Sequence, residues 1–394
     1  MNDSAAAATA GADPAGEAAP VEPRSTLPGP WSAAAAYAGA LMGVGVVVAP
    51  PPTAVALRCA IAVLATVAVL VSTVLLARRA QLGAWIAVLL QIAPLTVLGL
   101  ELLFMMHPQS TGLALSLSQQ RWQTLYWHPL NHSGYRDREH SEAELASHRL
   151  LVVVGDSFAA GYGIRDASDR FADRLATTLP SDWSLVNLAL SGLDTRAEFG
   201  ELRRFGHRPA IVVLSYFVND IEQAARDAGM RPRPSPPLPP LARWLQPFSS
   251  RSYLADYLFH TRATAGVRGR VEDFFRAAYR NPDALAKHAD DLLRMARWCE
   301  RHDSRLVVLA FPHLVDLDGS RDVIAWLERT FERQAVPVLD VSPLVASLRP
   351  RERIVSWVDP HPSVETHRRV ALALEKWLTE IEPSLGEPKS TTAG

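Results

Sequence analysis

The chain predicts an α/β protein, a central parallel sheet with helices on both faces, preceded by about three apolar helices. Two observations carry that prediction. From Arg149 onward, short apolar runs rich in β-branched residues alternate with segments of helical periodicity, the pattern of parallel strands joined by crossover helices. Before that point, three runs of 18 to 21 residues carry no charge or almost none, close to the roughly 20 apolar residues that a bilayer span requires.

Composition narrows the function classes. The 394 residues are 48% hydrophobic with a formal net charge of −1, so the basic footprint of a nucleic-acid binder is missing. Of the two cysteines, Cys59 lies inside an apolar run. A disulfide to Cys299 is therefore not expected, and the twelve histidines show no clustered Cys/His spacing that would suggest a metal site.

Residues 1–30 are rich in Ala, Pro and Gly, with one Arg and four acids, and are expected to be disordered. Residues 31–106 form the candidate transmembrane region, with spans at about 32–49, 56–77 and 82–106. Arg78-Arg79 lies between the second and third runs. By the positive-inside rule that loop faces the cytoplasm, which puts everything after Met106 outside. Residues 107–148 are a connector. Its Trp122, Tyr126 and Trp127 fit either the membrane interface or packing on the following domain. Arg136-Asp137-Arg138-Glu139 reads as a solvated charge cluster.

The second part of the chain, 149–382, reads as one domain. Strands are expected at Arg149–Val154, Ser184–Leu188, Ala210–Phe217, Arg305–Phe311 and Val336–Asp340. Helices are expected at Ser168–Leu179, with Ser168 as N-cap, and at Thr195–Phe205, Ala284–Arg301, Ser320–Gln334 and Val364–Ile381. Between the third strand and the Ala284 helix lies an insertion, 222–282. It opens with six prolines in 232–240, which exclude helix and central strand there. Its position suits a lid, and its Arg and aromatic residues suit a contact with lipid headgroups. Residues 383–394 are expected to be a disordered tail.

Four short segments follow strands or precede a helix: Gly155-Asp156-Ser157, Asn187 to Gly192, Val218-Asn219-Asp220, and Asp359-Pro360-His361-Pro362-Ser363. In a parallel sheet the carboxyl ends of the strands share one edge, so residues distant in sequence converge there. Asp359 and His361 each precede proline, which pushes both into extended conformations. Two apart in an extended chain, they point to one side. A carboxylate so placed fixes the imidazole tautomer, and the imidazole can activate a serine hydroxyl. Gly192 can offer a backbone N–H, Asn219 a carboxamide N–H and Ser157 its own amide to a developing oxyanion. Taken alone, Gly-Asp-Ser is also a turn with a helix cap, and Ser363 caps the last helix under either reading. His313, after the fourth strand, is a candidate for the rim of the site.

These four segments, in this order, resemble the four blocks of the SGNH, or GDSL, hydrolase family over about Arg149 to Ile381. The resemblance implies a flavodoxin-like three-layer α/β/α sandwich. It implies Ser157 as nucleophile, Gly192 and Asn219 as oxyanion donors with the Ser157 amide, His361 as base and Asp359 as its orienting partner. Two positions depart from the family pattern. Phe217 stands where the third block usually has glycine, and Asp359 lies two rather than three residues before the histidine, where Val358 sits. No Gly-x-Ser-x-Gly elbow surrounds Ser157, so the segment does not read as an α/β-hydrolase nucleophile.

The expectation is a membrane-anchored serine esterase, multi-pass in the cytoplasmic membrane with an extracytoplasmic catalytic domain. It needs no metal or organic cofactor. Its partners are a small-molecule, lipid or glycan ester and the membrane, with no nucleic acid. A cell-envelope carbohydrate O-acyltransferase with the same triad, and a non-catalytic binding protein that keeps the fold, are the alternatives. Acyl chain, alcohol and oligomeric state are not legible.

Overall fold

The computed structural model describes residues 53–79, 83–111, 116–231, 238–263 and 265–386. The first expected span, at 32–49, lies outside the described residues. Helix α1 (Val55–Arg79) and helix α2 (Gly83–Met106) coincide with the other two. They pack as an antiparallel hairpin, Ala62 against Leu98. Among the described residues no helix is long and apolar enough to cross a membrane.

Two charges lie inside these helices, away from the terminal Arg78-Arg79. Arg58 and Glu101 are buried and paired at 3.4 Å. Glu101 accepts hydrogen bonds from the Ser252 hydroxyl at 2.8 Å and the Tyr253 and Leu254 amides at 3.0 Å each. It thus satisfies amides that open a helix of the insertion, where the chain has no intrahelical partners for them. The hairpin is bolted to the insertion rather than hanging beside it.

After α3 (Leu117–Tyr126) the domain begins. Strand β1 (Arg149–Gly155) runs into the short α4 (Ser157–Ala160), then α5 (Phe171–Ala176), β2 (Trp183–Asn187), α6 (Thr195–Arg204) and β3 (Ile211–Tyr216). The insertion supplies α7 (Glu222–Asp227), α8 (Pro240–Leu245), α9 (Tyr253–Ala263) and α10 (Ala265–Ala278). Then come α11 (Pro282–Arg301), β4 (Arg305–Ala310), α12 (Arg321–Glu332), β5 (Val338–Asp340), the hairpin β6 (Ile354–Ser356) and β7 (Asp359–Pro362), and α13 (Val364–Ile381).

Five strands form one parallel sheet in the order β2-β1-β3-β4-β5. That is the flavodoxin-like order, with its switch point between β1 and β3. The period-2 alternation of strands explains why both faces bury. Leu151, Val153, Ile211, Val213, Val307 and Leu309 face one layer, with Phe171, Leu175, Leu374 and Leu378. Leu150, Val152, Val154, Val212, Leu214 and Val308 face the other, with Leu202, Leu292, Met295 and Leu327. Truncating any of these fully buried leucines to alanine is expected to cost about 2–5 kcal/mol.

Several readings need correction. The helix expected over Ser168–Leu179 is two pieces. Asp166 caps a 3-10 turn over Ala167–Asp169 by accepting from the Ser168 amide, so Ser168 sits inside the turn, and α5 starts only at Phe171. Half of the expected solvated cluster is interior, Arg136 1% and Asp137 5% exposed, while Arg138 and Glu139 are exposed as expected. Arg136 donates to the carbonyls of Tyr126, Gly161 and Ile164 at 2.6–2.8 Å. Its guanidinium lies 4.7 Å over the Trp127 ring. Trp122, 1% exposed, packs near Trp127 and Tyr162, so these connector aromatics belong to the domain. At the other end, Pro383–Gly386 forms a turn that buries Leu385 in the core, beyond the point where the tail was expected to begin.

Candidate active site

β1 and β3 are in register at Gly155 and Ser215, so the residues that follow each strand emerge side by side. Asp156 leaves β1 and caps α4 by accepting from the Phe158 amide at 2.8 Å. Ser157 is the first residue of that helix and is 8% exposed. On the opposite side, β7 is extended as its prolines require, and Asp359 and His361 share a face. The Ser157 hydroxyl donates to His361 Nε2 at 2.8 Å. His361 Nδ1 bonds Asp359 Oδ1. That pairing places the Nδ1 proton on the carboxylate side and leaves Nε2 free to accept from the serine. Ser363 caps α13 through the Thr366 amide at 3.2 Å, so cap and base coexist as expected.

Asp359 is fully buried. Burial alone would raise its pKa, but the His361 charge and hydrogen bond, aided by the Ser110 hydroxyl, outweigh it and hold the carboxyl below the usual range. Ser110 also donates to Gln119 Oε1 at 3.1 Å, while Asp359 Oδ2 meets no donor at hydrogen-bond distance. A single hydroxyl proton cannot serve both acceptors at once. Gly163 explains how the chain passes so close. Its φ is +81°, and a Cβ there would lie 2.5 Å from Val355 and 2.8 Å from Asp359 Oδ2. Only glycine permits both the conformation and the approach.

Asn219 sits in a 3-10 turn after β3 and donates from Nδ2 to Asp156 Oδ2 at 2.9 Å. A carboxamide has two N–H groups, so this bond orients Asn219 and leaves a second donor for a substrate oxygen. Phe217 takes the place of the family glycine without strain, because its backbone is extended (φ −132°, ψ 163°). Its ring stacks on Phe158 at 4.0 Å. Gly192 follows a segment tied to the end of β1 by the Leu190 amide, which donates to the Gly155 carbonyl at 3.2 Å. It is exposed, with φ +82° and open space where a Cβ would be. His313 is drawn away toward the insertion, its Nε2 3.3 Å from Glu272 of α10.

Behind the nucleophile lies a polar pocket with no sequence warning. Glu198, from α6, and Asp220 are buried, and both carboxyls are pushed well above their usual range, Glu198 by burial first and then by Asp156 and Asp194, and Asp220 by burial first and then by Glu198 and Asp156. Neither Glu198 oxygen has a hydrogen-bond partner among the described residues, nor do Thr195 Oγ1 and Ser215 Oγ. Sequence reading placed Asn187 at the head of the second segment but gave it no role; it donates to the Ala159 carbonyl at 3.0 Å and braces the turn after Ser157. Its signal was available, since it is the one polar side chain closing β2. Arg136, Gly163 and Ser110 had none, because their partners are distant in sequence.

The profile of the GDSL-like Lipase/Acylhydrolase family matches residues 153–369, more than half of the chain. The chain belongs to that family. The GDSL match begins in β1 and ends in α13, so it takes in all four segments of the site. No curated protein matches. Similar solved structures include that of TesA, 17% identical, covering 60% of this chain and 100% of that one with a TM-score of 0.37. The esterase EstA from Pseudoalteromonas sp. is 13% identical and covers 59% and 99%, with a TM-score of 0.36. Axe2, an acetylxylan esterase from Geobacillus stearothermophilus, is 12% identical and covers 58% and 94%, with a TM-score of 0.37.

Proposed function

We propose that this GDSL-family protein hydrolyses carboxylic esters through an acyl-enzyme on Ser157. The observation that carries the reading is the 2.8 Å contact from the Ser157 hydroxyl to His361 Nε2, with His361 Nδ1 on Asp359. As the serine oxygen bonds the ester carbonyl carbon, its proton passes to His361 Nε2. The carbonyl oxygen becomes an oxyanion that the amides of Ser157 and Gly192 and the free Asn219 N–H are offered to. Collapse breaks the carbon–alkoxide bond, and His361 returns the proton to the leaving alcohol. Water then repeats the cycle on the acyl-enzyme, releasing the acid and restoring the serine.

The α1–α2 hairpin is proposed as a membrane anchor. Leu57, Val63, Leu64, Val67, Leu70 and Val71 of α1 are each at least half exposed, a continuous apolar face of the kind that marks a contact with lipid or another partner. With Arg78-Arg79 at the far end of that hairpin, the positive-inside rule puts the catalytic domain outside the cytoplasmic membrane. Protease added to intact spheroplasts should then cleave beyond residue 107. Cleavage only after lysis would reverse the orientation.

A fluorophosphonate probe on the purified full chain tests the chemistry. Labelling at Ser157, lost in Ser157→Ala together with hydrolysis of p-nitrophenyl esters, is expected, with a rate loss on the order of 10³ or more. Labelling of another serine, or near-normal turnover in that variant, overturns the assignment. Product analysis with a sugar acceptor present reads whether the acyl group goes to water or to a carbohydrate hydroxyl.

A further inference from the structure

The insertion carries a second apolar surface beside the hairpin. In α8 and the 3-10 turn that follows, Ala242 and Leu245 point inward and are buried. Leu241, Trp244 and Phe248 point outward, 55%, 67% and 50% exposed. The Trp244 and Phe248 rings lie 5.6 Å apart and form one patch. Large side chains grouped this way leave apolar surface in water, which calls for something that covers them.

Charge and position say what that is. From residue 238 to Leu254 there is no acid, while Arg243 and Arg251 are exposed. A short segment with Leu, Trp and Phe on one side and arginines beside them suits an anionic lipid interface, where aromatic rings settle at headgroup depth and guanidinium groups meet phosphates. The patch is also continuous with the hairpin. α8 packs on α9, which packs on α2 through a Phe104–Tyr257 stack at 4.3 Å. Arg58 Nη2 donates to the Arg251 carbonyl at 2.7 Å. Leu103 and Met106, at that same end of α2, are 50% and 52% exposed. On its other side α9 borders, through Tyr257, His260 and Thr261, a small gap that reaches Val358, next to the catalytic acid.

We propose that Leu241, Trp244 and Phe248 form a lipid-docking surface that enters the headgroup region of an anionic bilayer and holds the Ser157 site at the membrane surface. The substrates it favours are then esters presented by the bilayer. This rests on the anchored-esterase reading above, and its test is kept separable from it. An NBD fluorophore attached through Trp244→Cys in the full chain is mixed or reconstituted with vesicles of phosphatidylglycerol and phosphatidylcholine. Unsubstituted protein serves as the labelling blank, and Leu372→Cys, at an exposed position of α13, serves as the aqueous control.

A blue shift at position 244, with quenching by lipids spin-labelled near the carbonyl region and none at position 372, supports the proposal. An unshifted emission overturns it, and so does a shift without lipid quenching, which signals a second copy of the chain. Catalysis is not needed for that readout, so an inactive protein would defeat the esterase reading while leaving this one decided. As a second arm, Trp244→Ser combined with Phe248→Ser should leave turnover of soluble p-nitrophenyl acetate unchanged. Hydrolysis of a vesicle-embedded ester should fall roughly tenfold. Equal loss on both substrates, or on neither, counts against the docking surface.

Discussion

The two flanks of Ser157 are built on opposite principles. On the β7 side the relay is connected from the serine hydroxyl to His361 Nε2 and from His361 Nδ1 to Asp359, and of its atoms Asp359 Oδ2 alone lacks a donor among the described residues. On the β3 side, Asn219 Oδ1, Asp220 Oδ1, both Glu198 oxygens and Ser215 Oγ are buried without a hydrogen-bond partner among the described residues. Buried polar groups left in that state cost stability. The difference teaches where function and stability separate. One flank is a connected chain of hydrogen bonds that suits proton transfer, and the other holds unpartnered polar atoms beside Asn219.

The sharpest way to break this comparison is at the satisfied flank. Asp359→Asn keeps the shape of the side chain but reverses the hydrogen-bond logic at His361 Nδ1. A loss of roughly 10⁴ in kcat is expected from the wrong tautomer, with the thermal melt nearly unchanged. A loss below about tenfold would show that Asp359 does not orient the imidazole. Next in size is Asn219→Ala on the opposite flank. If its second N–H meets the oxyanion, kcat falls by roughly 10²–10³ with little change in KM. If its only task is the bond to Asp156, the change costs about 1 kcal/mol of stability and activity per folded molecule persists.

Third comes the unpartnered flank itself. The Glu198 carboxyl is raised, so its sign is the reverse of a salt-bridged acid. The folded state holds the proton more tightly than the unfolded chain. That stability is fully present below the ordinary value of 4.5 and is lost as pH climbs toward the folded pKa. Asp156 and Asp194 add to the effect, and Glu198 in turn raises its neighbour Asp220. Glu198→Gln removes the titration, so urea melts should show it about 1–3 kcal/mol more stable than the parent at pH 8 and closer to it at pH 5. A variant weaker at both pH values would mean that the flank is satisfied by bound water.

What was legible in the sequence follows the same division. The strands of the sheet could be read because each is an apolar run closed by a turn, and both faces are buried. Asp359 and His361 could be read because the two prolines dictate local geometry, and Ser157 because it follows the apolar run of β1. Long-range polar partners could not. Arg136 looked solvated beside its charged neighbours, yet its carbonyl partners lie up to 28 positions away. Arg58 and Glu101 border apolar runs in the sequence, yet they close on residues about 150 to 190 positions on. Periodicity reports which side of an element is apolar and says nothing of which distant backbone an ion will cap.

The smallest effect probes a contact that joins the connector to the satisfied flank. Ser110 is buried at 4% exposure and lies in the segment that leaves α2, with its hydroxyl shared between Gln119 and the neighbourhood of Asp359. Its contribution helps to hold the Asp359 carboxyl low. Removing a donor from a carboxylate raises its pKa, so Ser110→Ala should move the acid limb of the pH–rate profile upward. The cost to kcat near neutral pH should be a few-fold, about 1 kcal/mol, because His361 still supplies the stronger interaction. A merely structural serine would lower the melting temperature and leave the profile where it was. Ser110→Thr keeps the hydroxyl and should restore the parent profile if the site accepts the added methyl. An unmoved acid limb in Ser110→Ala would confine the relay to Ser157, His361 and Asp359, and the connector would then reach the active site without influencing it.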